Sequence, residues 1–360
     1  MSERLERVEA SLGRLAQYLD GLPRAKAEVR DPFEEGLRLQ QAEQHEAAIE
    51  EFGRAFAAAE SDAQRSALHG LIATSLFLLR RLREAEGHWR EALHLARAAA
   101  ERDGAAVALG NLGMVYRYLG QLDKAEKHHK QSLAIHKDMA NPLGQASALG
   151  NLGLVYADRG DLDKAEEYDK HSLRIHRDIA NPRGQAHALG NLGLVYAHRG
   201  ELAKAEEHHK KALAIQEEIG DRLGQANQLG NLGNVYLQQG DLDKAEEHYK
   251  KALATSEEIG DRLGQANQLG NLGLIYAHRG ELDRAEQHYR RALQMHEDIG
   301  NRLGQANQLG NLGVLEARRG SAPGALVHLR QARQIFAEIG AQPAVRRTDK
   351  LIEALERSQP

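Results

Sequence analysis

The stretch Gly224-Gln225-Ala226-Asn227-Gln228-Leu229-Gly230-Asn231-Leu232-Gly233 recurs unchanged at 264–273 and again at 304–313. The spacing is 40 residues, and the same register runs back through Gly184, Gly144 and Gly104. A weaker copy lies one period earlier, with Ala73, Ala85 and Trp89 at the positions of Gly113, Ala125 and His129. The first copy is shorter, with Gly36, Ala48 and Phe52 standing 37 residues before Ala73, Ala85 and Trp89. Eight copies therefore run from about Pro32 to Gly340. A fixed period of this size marks a repeat array. It displaces the two or three independent domains that 360 residues would otherwise suggest.

Each copy predicts two helices. Leu229, Leu232 and Tyr236 recur at i, i+3 and i+7, one face of a 3.6-residue helix. Leu242, Ala245, Ala252 and Leu253 form the apolar stripe of a second helix, with Glu246 and Lys250 paired at i, i+4 on its outside. Gly240-Asp241 separates the two helices, and Gly260-Asp261 ends the second and caps the next first helix. Asn141-Pro142 and Asn181-Pro182 supply an N-cap followed by proline at the first helical position. Strand signals are absent, so the fold class is all-α. A mid-helix glycine costs about 1 kcal/mol relative to alanine, yet each central copy keeps two, such as Gly230 and Gly233. Their repetition predicts close approach: one at the crossing of paired helices, the other leaving room on the opposite face. Such a pair cannot bury its stripe alone, so neighbours must stack into a solenoid.

Composition narrows the function. Against 48 Lys and Arg stand 52 Asp and Glu, a net charge of −4 that removes the electrostatic case for a nucleic-acid partner. No run of eighteen apolar residues is present to span a membrane. Met1-Ser2-Glu3-Arg4-Leu5-Glu6-Arg7 lacks the apolar core of a signal peptide, which points to the cytoplasm. The chain has no Cys, which excludes disulfides, thiol catalysis and Cys-ligated zinc.

The pattern carried by Leu229, Gly230, Asn231, Leu232, Gly233, Tyr236, Gly240, Leu242, Ala245, Ala252 and Leu253 resembles the tetratricopeptide repeat. The 40-residue version, with Ile-Gly-Asp-Arg at 219–222 and 259–262, is similar to the Pins/LGN polarity adaptors and to kinesin light chain. That resemblance implies a right-handed superhelix whose first helices line a concave groove. It also implies that groove asparagines hold a peptide backbone.

The groove positions flank the packed face. In one copy they are Asn227, Gly230, Asn231, Asn234 and Gln238. One column reads Asn111, Asn151, Asn191, Asn231, Asn271 and Asn311; its neighbour reads Val107, Ser147, His187, Asn227, Asn267 and Asn307. A carboxamide offers both donor and acceptor, which suits an extended peptide. The alternative is that the Asn231 column ties adjacent repeats together. The Lys and Arg of a C-terminal carboxylate clamp, as in the co-chaperone members, are mostly missing from these positions. The earlier groove (Val107, Met114, Tyr118, Leu154, Leu194) is the more apolar part.

Other chemistry is thinly represented. Histidines number 18, but the adjacent pairs His128-His129 and His208-His209 point to different sides of a helix, and the column His208, His248, His288 and His328 lies too far apart to chelate. No metal site, phosphate loop, catalytic triad or cofactor is expected. At the N-terminus Leu5, Val8, Leu12, Leu15, Leu19 and Leu22 follow a coiled-coil spacing over residues 1–22, either an oligomerising heptad helix or a cap on the first repeat. Residues 23–31 read as a linker, 32–340 as the solenoid, and 344–357 as a helix closing the stack. The expected function is a non-enzymatic adaptor holding an extended peptide segment of a partner protein in its groove. The alternatives are a structural protein forming homo-oligomers through its repeats or residues 5–22, and a sensor of a small peptide signal.

Overall fold

The computed structural model describes residues 27–42 and 44–357. The heptad segment 1–22 lies outside these residues. The described chain forms seventeen helices and no strand. In order they are α1 (Ala27–Gln41), α2 (His45–Ala57), α3 (Asp62–Leu78), α4 (Leu82–Ala98), α5 (Arg102–Tyr118), α6 (Leu122–Asp138), α7 (Pro142–Arg159), α8 (Leu162–Asp178) and α9 (Pro182–His198). There follow α10 (Leu202–Glu218), α11 (Arg222–Gln239), α12 (Leu242–Glu258), α13 (Arg262–His278), α14 (Leu282–Asp298), α15 (Arg302–Arg318), α16 (Ala322–Glu338) and α17 (Gln342–Arg357).

The helices fall into two compact units that divide between Arg199 and Gly200. Unit 1 stacks four helix pairs, α1/α2 to α7/α8, and ends with α9; unit 2 begins with α10, stacks α11/α12 to α15/α16, and ends with α17. Packing is most extensive within a pair and next most between consecutive pairs. First helices also touch the first helices of neighbouring pairs, as α5 does α7 and α11 does α13. Second helices make no contact of that extent with each other, so the first helices form the inner layer of each stack.

The expected linker ends sooner than the sequence suggested, since α1 already begins at Ala27 and passes through Pro32. That proline gives up only one intrahelical hydrogen bond. The turns beyond it are anchored by buried Phe33 and Leu39, Phe33 lying 6.4 Å from the ring of Phe52. The closing helix likewise starts at Gln342, with Val345 and Ile352 buried.

Turn chemistry sets the repeat. From α3 onward each helix passes to the next through a residue at positive φ, such as Gly240 (80°) and Gly260 (70°). The earlier copies hold Ala140 and Ala180 there instead, both at 49°. Asn141 and Asn181 accept the amides of Gly144 and Gly184 at 3.0 Å, and Asp221 accepts that of Gly224 at 2.9 Å. A column of eight alanines marks the helix crossings: Ala48, Ala85, Ala125, Ala165, Ala205, Ala245, Ala285 and Ala325 are all 0% exposed.

Polar clamps join consecutive copies. Tyr276 on α13 donates its hydroxyl to Glu246 on α12 at 2.7 Å, Arg279 pairs with the same carboxylate, and Arg279 Nη2 meets Asp243 at 2.5 Å. Glu246 thus does more than make the surface pair with Lys250 that the sequence indicated. Burial opposes its charge, but hydrogen bonds from Lys250, Tyr276 and Arg279 outweigh that and hold its carboxyl at about 2. Glu126 and Glu166 are held at about 2 by the equivalent Lys, Tyr and Arg donors.

The α10–α11 junction lacks two parts of this clamp. Ala203 stands where the junctions after α6, α8, α12 and α14 carry Asp, and Gln239 where they carry Arg, leaving Gln239 Nε2 3.3 Å from Glu206. The pair Ala203→Asp with Gln239→Arg should restore both bonds and stabilise the α10–α11 junction by about 1 kcal/mol, the range of a well-aligned, partly exposed ion pair. Thermal melting and backbone hydrogen exchange across α11 would read this. Unchanged exchange and melting would show that the arginine contributes nothing there.

Candidate functional site

The inner face of unit 2 carries a concave pocket of about 600 Å³. Asn227, Asn231 and Asn234 come to it from α11, Asn267 and Asn271 from α13, and Asn307 and Asn311 from α15. No charged side chain lines it, and Leu274 is its one apolar side chain. Seven of the asparagines singled out in the sequence therefore converge. Gln238 is exposed and lies outside the lining. Asn111, Asn151, Asn191 and His187 belong to unit 1, each half-buried on a first helix.

The glycines explain why these first helices can pack and still present amides. A Cβ on Gly233 would come 2.5 Å from the ring of Tyr249 on the paired helix α12. One on Gly230 would come 2.9 Å from Gln268 Nε2 on α13 of the next pair. The first glycine admits the partner helix, and the second admits the neighbouring repeat. Through the first opening Tyr249 reaches the inner face, where its hydroxyl donates to Asn234 Oδ1 at 2.8 Å.

The asparagines are not equivalent. Asn271 Nδ2 donates to Gln268 Oε1 at 3.3 Å, and Asn311 Nδ2 to Gln308 Oε1 at 3.2 Å. Both bonds stay within one helix and so do not tie repeats together. Asn111 instead donates to the carbonyl of Val107 at 3.1 Å. The glutamines were missed in the sequence, although the signal was there: Ala108, Ala148 and Ala188 give way to Gln228, Gln268 and Gln308 in the same column. In the apolar stretch of unit 1, Tyr118 is 46% exposed and stacks edge-on to Phe77, whereas Met114 is buried.

Asp169 is the anomaly of unit 1. It occupies the second-helix position held elsewhere by His129 or Tyr249, packs against Gly153, and is 1% exposed. Its one hydrogen bond comes from Asn191 Nδ2 at 3.3 Å. Burial pushes its carboxyl well above the usual range, and the Asn191 bond offsets only part of that.

The histidines are engaged structurally. His248 and His288 stack on Tyr236 and Tyr276 at 4.8 and 4.9 Å, their Nδ1 atoms meeting carbonyls one turn back. Buried His209 pairs with Gln228 Oε1 at 2.8 Å; burial, partly offset by that bond, brings its pKa down to about 4, so the neutral ring donates from Nδ1. His69 and His88 bring their Nδ1 atoms within 2.9 Å. Among the described residues no three His, Asp or Glu side chains are grouped to hold a metal. No described helix is long and apolar enough to cross a membrane.

The sequence profile of the tetratricopeptide repeat matches residues 64–138, 144–218, 184–258 and 264–338. No curated protein matches the chain significantly. Solved structures share the fold at low identity. A Rap protein complexed with competence and sporulation factor is 15% identical over 92% of this chain and 98% of its own, with a TM-score of 0.60. BtubC (BKLC) from P. vanneervenii is 22% identical over 62% of this chain and 92% of its own, with a TM-score of 0.52. A STAND protein with a tetratricopeptide repeat sensor from Pyrococcus horikoshii is 16% identical over 92% of this chain, which spans 50% of that protein, with a TM-score of 0.63.

Asp169 gives a pH test. Its raised pKa means that the folded state holds a proton which the unfolded chain releases near pH 4. Stability from this site is therefore present below that pH and is lost as pH rises through the folded value. Asp169→Asn should match the wild type in urea unfolding near pH 4 and exceed it at pH 8. Equal midpoints at both pH values would mean that the carboxylate ionises in the fold without cost.

Proposed function

Because the chain belongs to the tetratricopeptide repeat family, we propose that it is a non-enzymatic scaffold holding an extended peptide segment of a partner protein in the amide-lined pocket of unit 2. The observation that supports this reading is the convergence of seven asparagine side chains on one uncharged concavity. A bound strand presents alternating N–H and C=O groups, and carboxamides satisfy both without the desolvation cost of a charge. The neutral lining disfavours a charged tail as the central element of the ligand. Leu274 offers one apolar contact among the amides.

A second reading is a sensor of a small peptide signal. It draws support from the fold shared with a Rap protein captured with a peptide factor and with the repeat sensor of a STAND protein. Both readings use the same pocket and differ in whether the ligand is free or part of a larger chain.

Panning a displayed random-peptide library against the protein should enrich sequences that bind as extended strands. Asn231→Ala with Asn271→Ala should then weaken an enriched peptide by about 1–3 kcal/mol, since each lost amide strands a buried peptide group. Melting should change far less, because neither side chain belongs to the packed face. A double mutant that melts much earlier but binds the peptide normally at low temperature would assign these asparagines to stability and sink the proposal.

A further inference from the structure

We infer that Gln268 and Gln308 are positioning residues that turn the carbonyl oxygens of Asn271 and Asn311 toward the pocket, so that the site takes a peptide strand through its N–H groups. The inference rests on the peptide-groove reading above and specifies its polarity.

Both glutamines are buried, 9% and 7% exposed, under the inner face. Each lies across a glycine of the preceding first helix: a Cβ at Gly230 would meet Gln268 Nε2 at 2.9 Å, and one at Gly270 would meet Gln308 Nε2 at 2.6 Å. The carboxamide nitrogen is thus directed at the neighbouring repeat and the oxygen back along its own helix. That oxygen accepts Asn271 Nδ2 at 3.3 Å and, in the next copy, Asn311 Nδ2 at 3.2 Å. A carboxamide is planar, with donor and acceptor at opposite corners. With an N–H of Nδ2 held at the floor, the carbonyl on the opposite corner is turned outward as the group offered to a ligand. Two successive rungs of the ladder are in this way acceptors.

Asn231 shows what sets the orientation. Its own floor residue, Gln228, has its oxygen taken by His209 Nδ1 at 2.8 Å. At the positions corresponding to His209, the following copies carry Tyr249 and Tyr289, whose hydroxyls sit at the end of a longer ring. Tyr249 reaches past the glutamine column to Asn234. Gln268 and Gln308 therefore turn their oxygens to their asparagines, whereas that of Gln228 is turned to His209. Among the described residues the Asn231 side chain has no hydrogen-bond partner, so it can turn either way.

The experiment uses side-chain amide signals of the full-length protein labelled with ¹⁵N-asparagine. The Nδ2 protons of Asn271 and Asn311 should exchange with water more slowly than those of Asn231. Gln268→Leu should bring Asn271 to the Asn231 rate and leave Asn311 unchanged. His209→Phe, at a position where later copies already hold a phenol ring, should release Gln228 and slow Asn231. End-blocked hexaglycine should shift the Asn271 and Asn311 signals, whereas end-blocked hexasarcosine, with the same carbonyls but no internal N–H, should not. An Asn271 rate unmoved by Gln268→Leu in a folded variant would overturn the assignment, as would hexasarcosine shifting these signals as strongly as hexaglycine. Should Gln268→Leu not fold, an Asn231 rate unmoved in His209→Phe overturns it equally. If neither probe shifts any pocket signal, the peptide-groove reading itself fails; if hexaglycine binds but the variants do nothing, only the polarity fails.

Discussion

The ring of Tyr249 lies against bare helix backbone at Gly233, and five other copies repeat some version of that contact. The side chain pressed there changes along the chain: Phe52 at Gly36, His129 at Gly113, Asp169 at Gly153, Tyr289 at Gly273 and Leu329 at Gly313. In these copies an alanine would gain about 1 kcal/mol of helix propensity and set its Cβ within 3 Å of the partner's side chain; the second copy has Ala73 there and makes room for Trp89 at Gly70 instead. The pair therefore depends on a local weakness in one of its own helices. The same opening brings second-helix side chains to the underside of the inner face, where Tyr249 holds Asn234 and Asp169 meets Asn191. Packing and binding surface are built from one set of residues.

Between pairs the attachment is of a different kind. At α6–α7, α8–α9 and α12–α13 a tyrosine, an arginine and two carboxylates form a partly buried network, while glutamines occupy the inner side of the later junctions. Charged groups thus sit where solvent still reaches them, and neutral amides where it does not, in keeping with the cost of burying an unpaired charge. Asp169 breaks that rule, and its raised pKa records the cost.

Much of this was readable in the sequence because the period made every column visible at once. The helix pairs, the glycine breaks, the asparagine caps at 141 and 181 and the inner-face asparagines all follow from position within 40 residues. What stayed hidden depended on partners one repeat away. Glu246 looked like half of an i, i+4 surface pair because its other two partners, Tyr276 and Arg279, are 30 and 33 residues distant. Gln268 looked like one more polar helix residue until Gly230 was placed beneath it. The linker boundary failed for a different reason. Pro32 suggested a helix start, and apolar packing beyond it carried α1 through.

The reach of the polar contacts has a consequence for how such a chain changes over generations. Arg117 reaches Asp158 at a separation of 41 residues, and the clamps recur at separations of 30, 33 and 36. Removing or inserting one whole copy by unequal crossing-over between the near-identical stretches at 224–233, 264–273 and 304–313 would leave Glu206 and Glu246, where kept, facing a tyrosine and each inner glutamine beside a glycine. The number of pocket rungs is therefore a quantity this gene can alter in single steps without first passing through an unfolded protein.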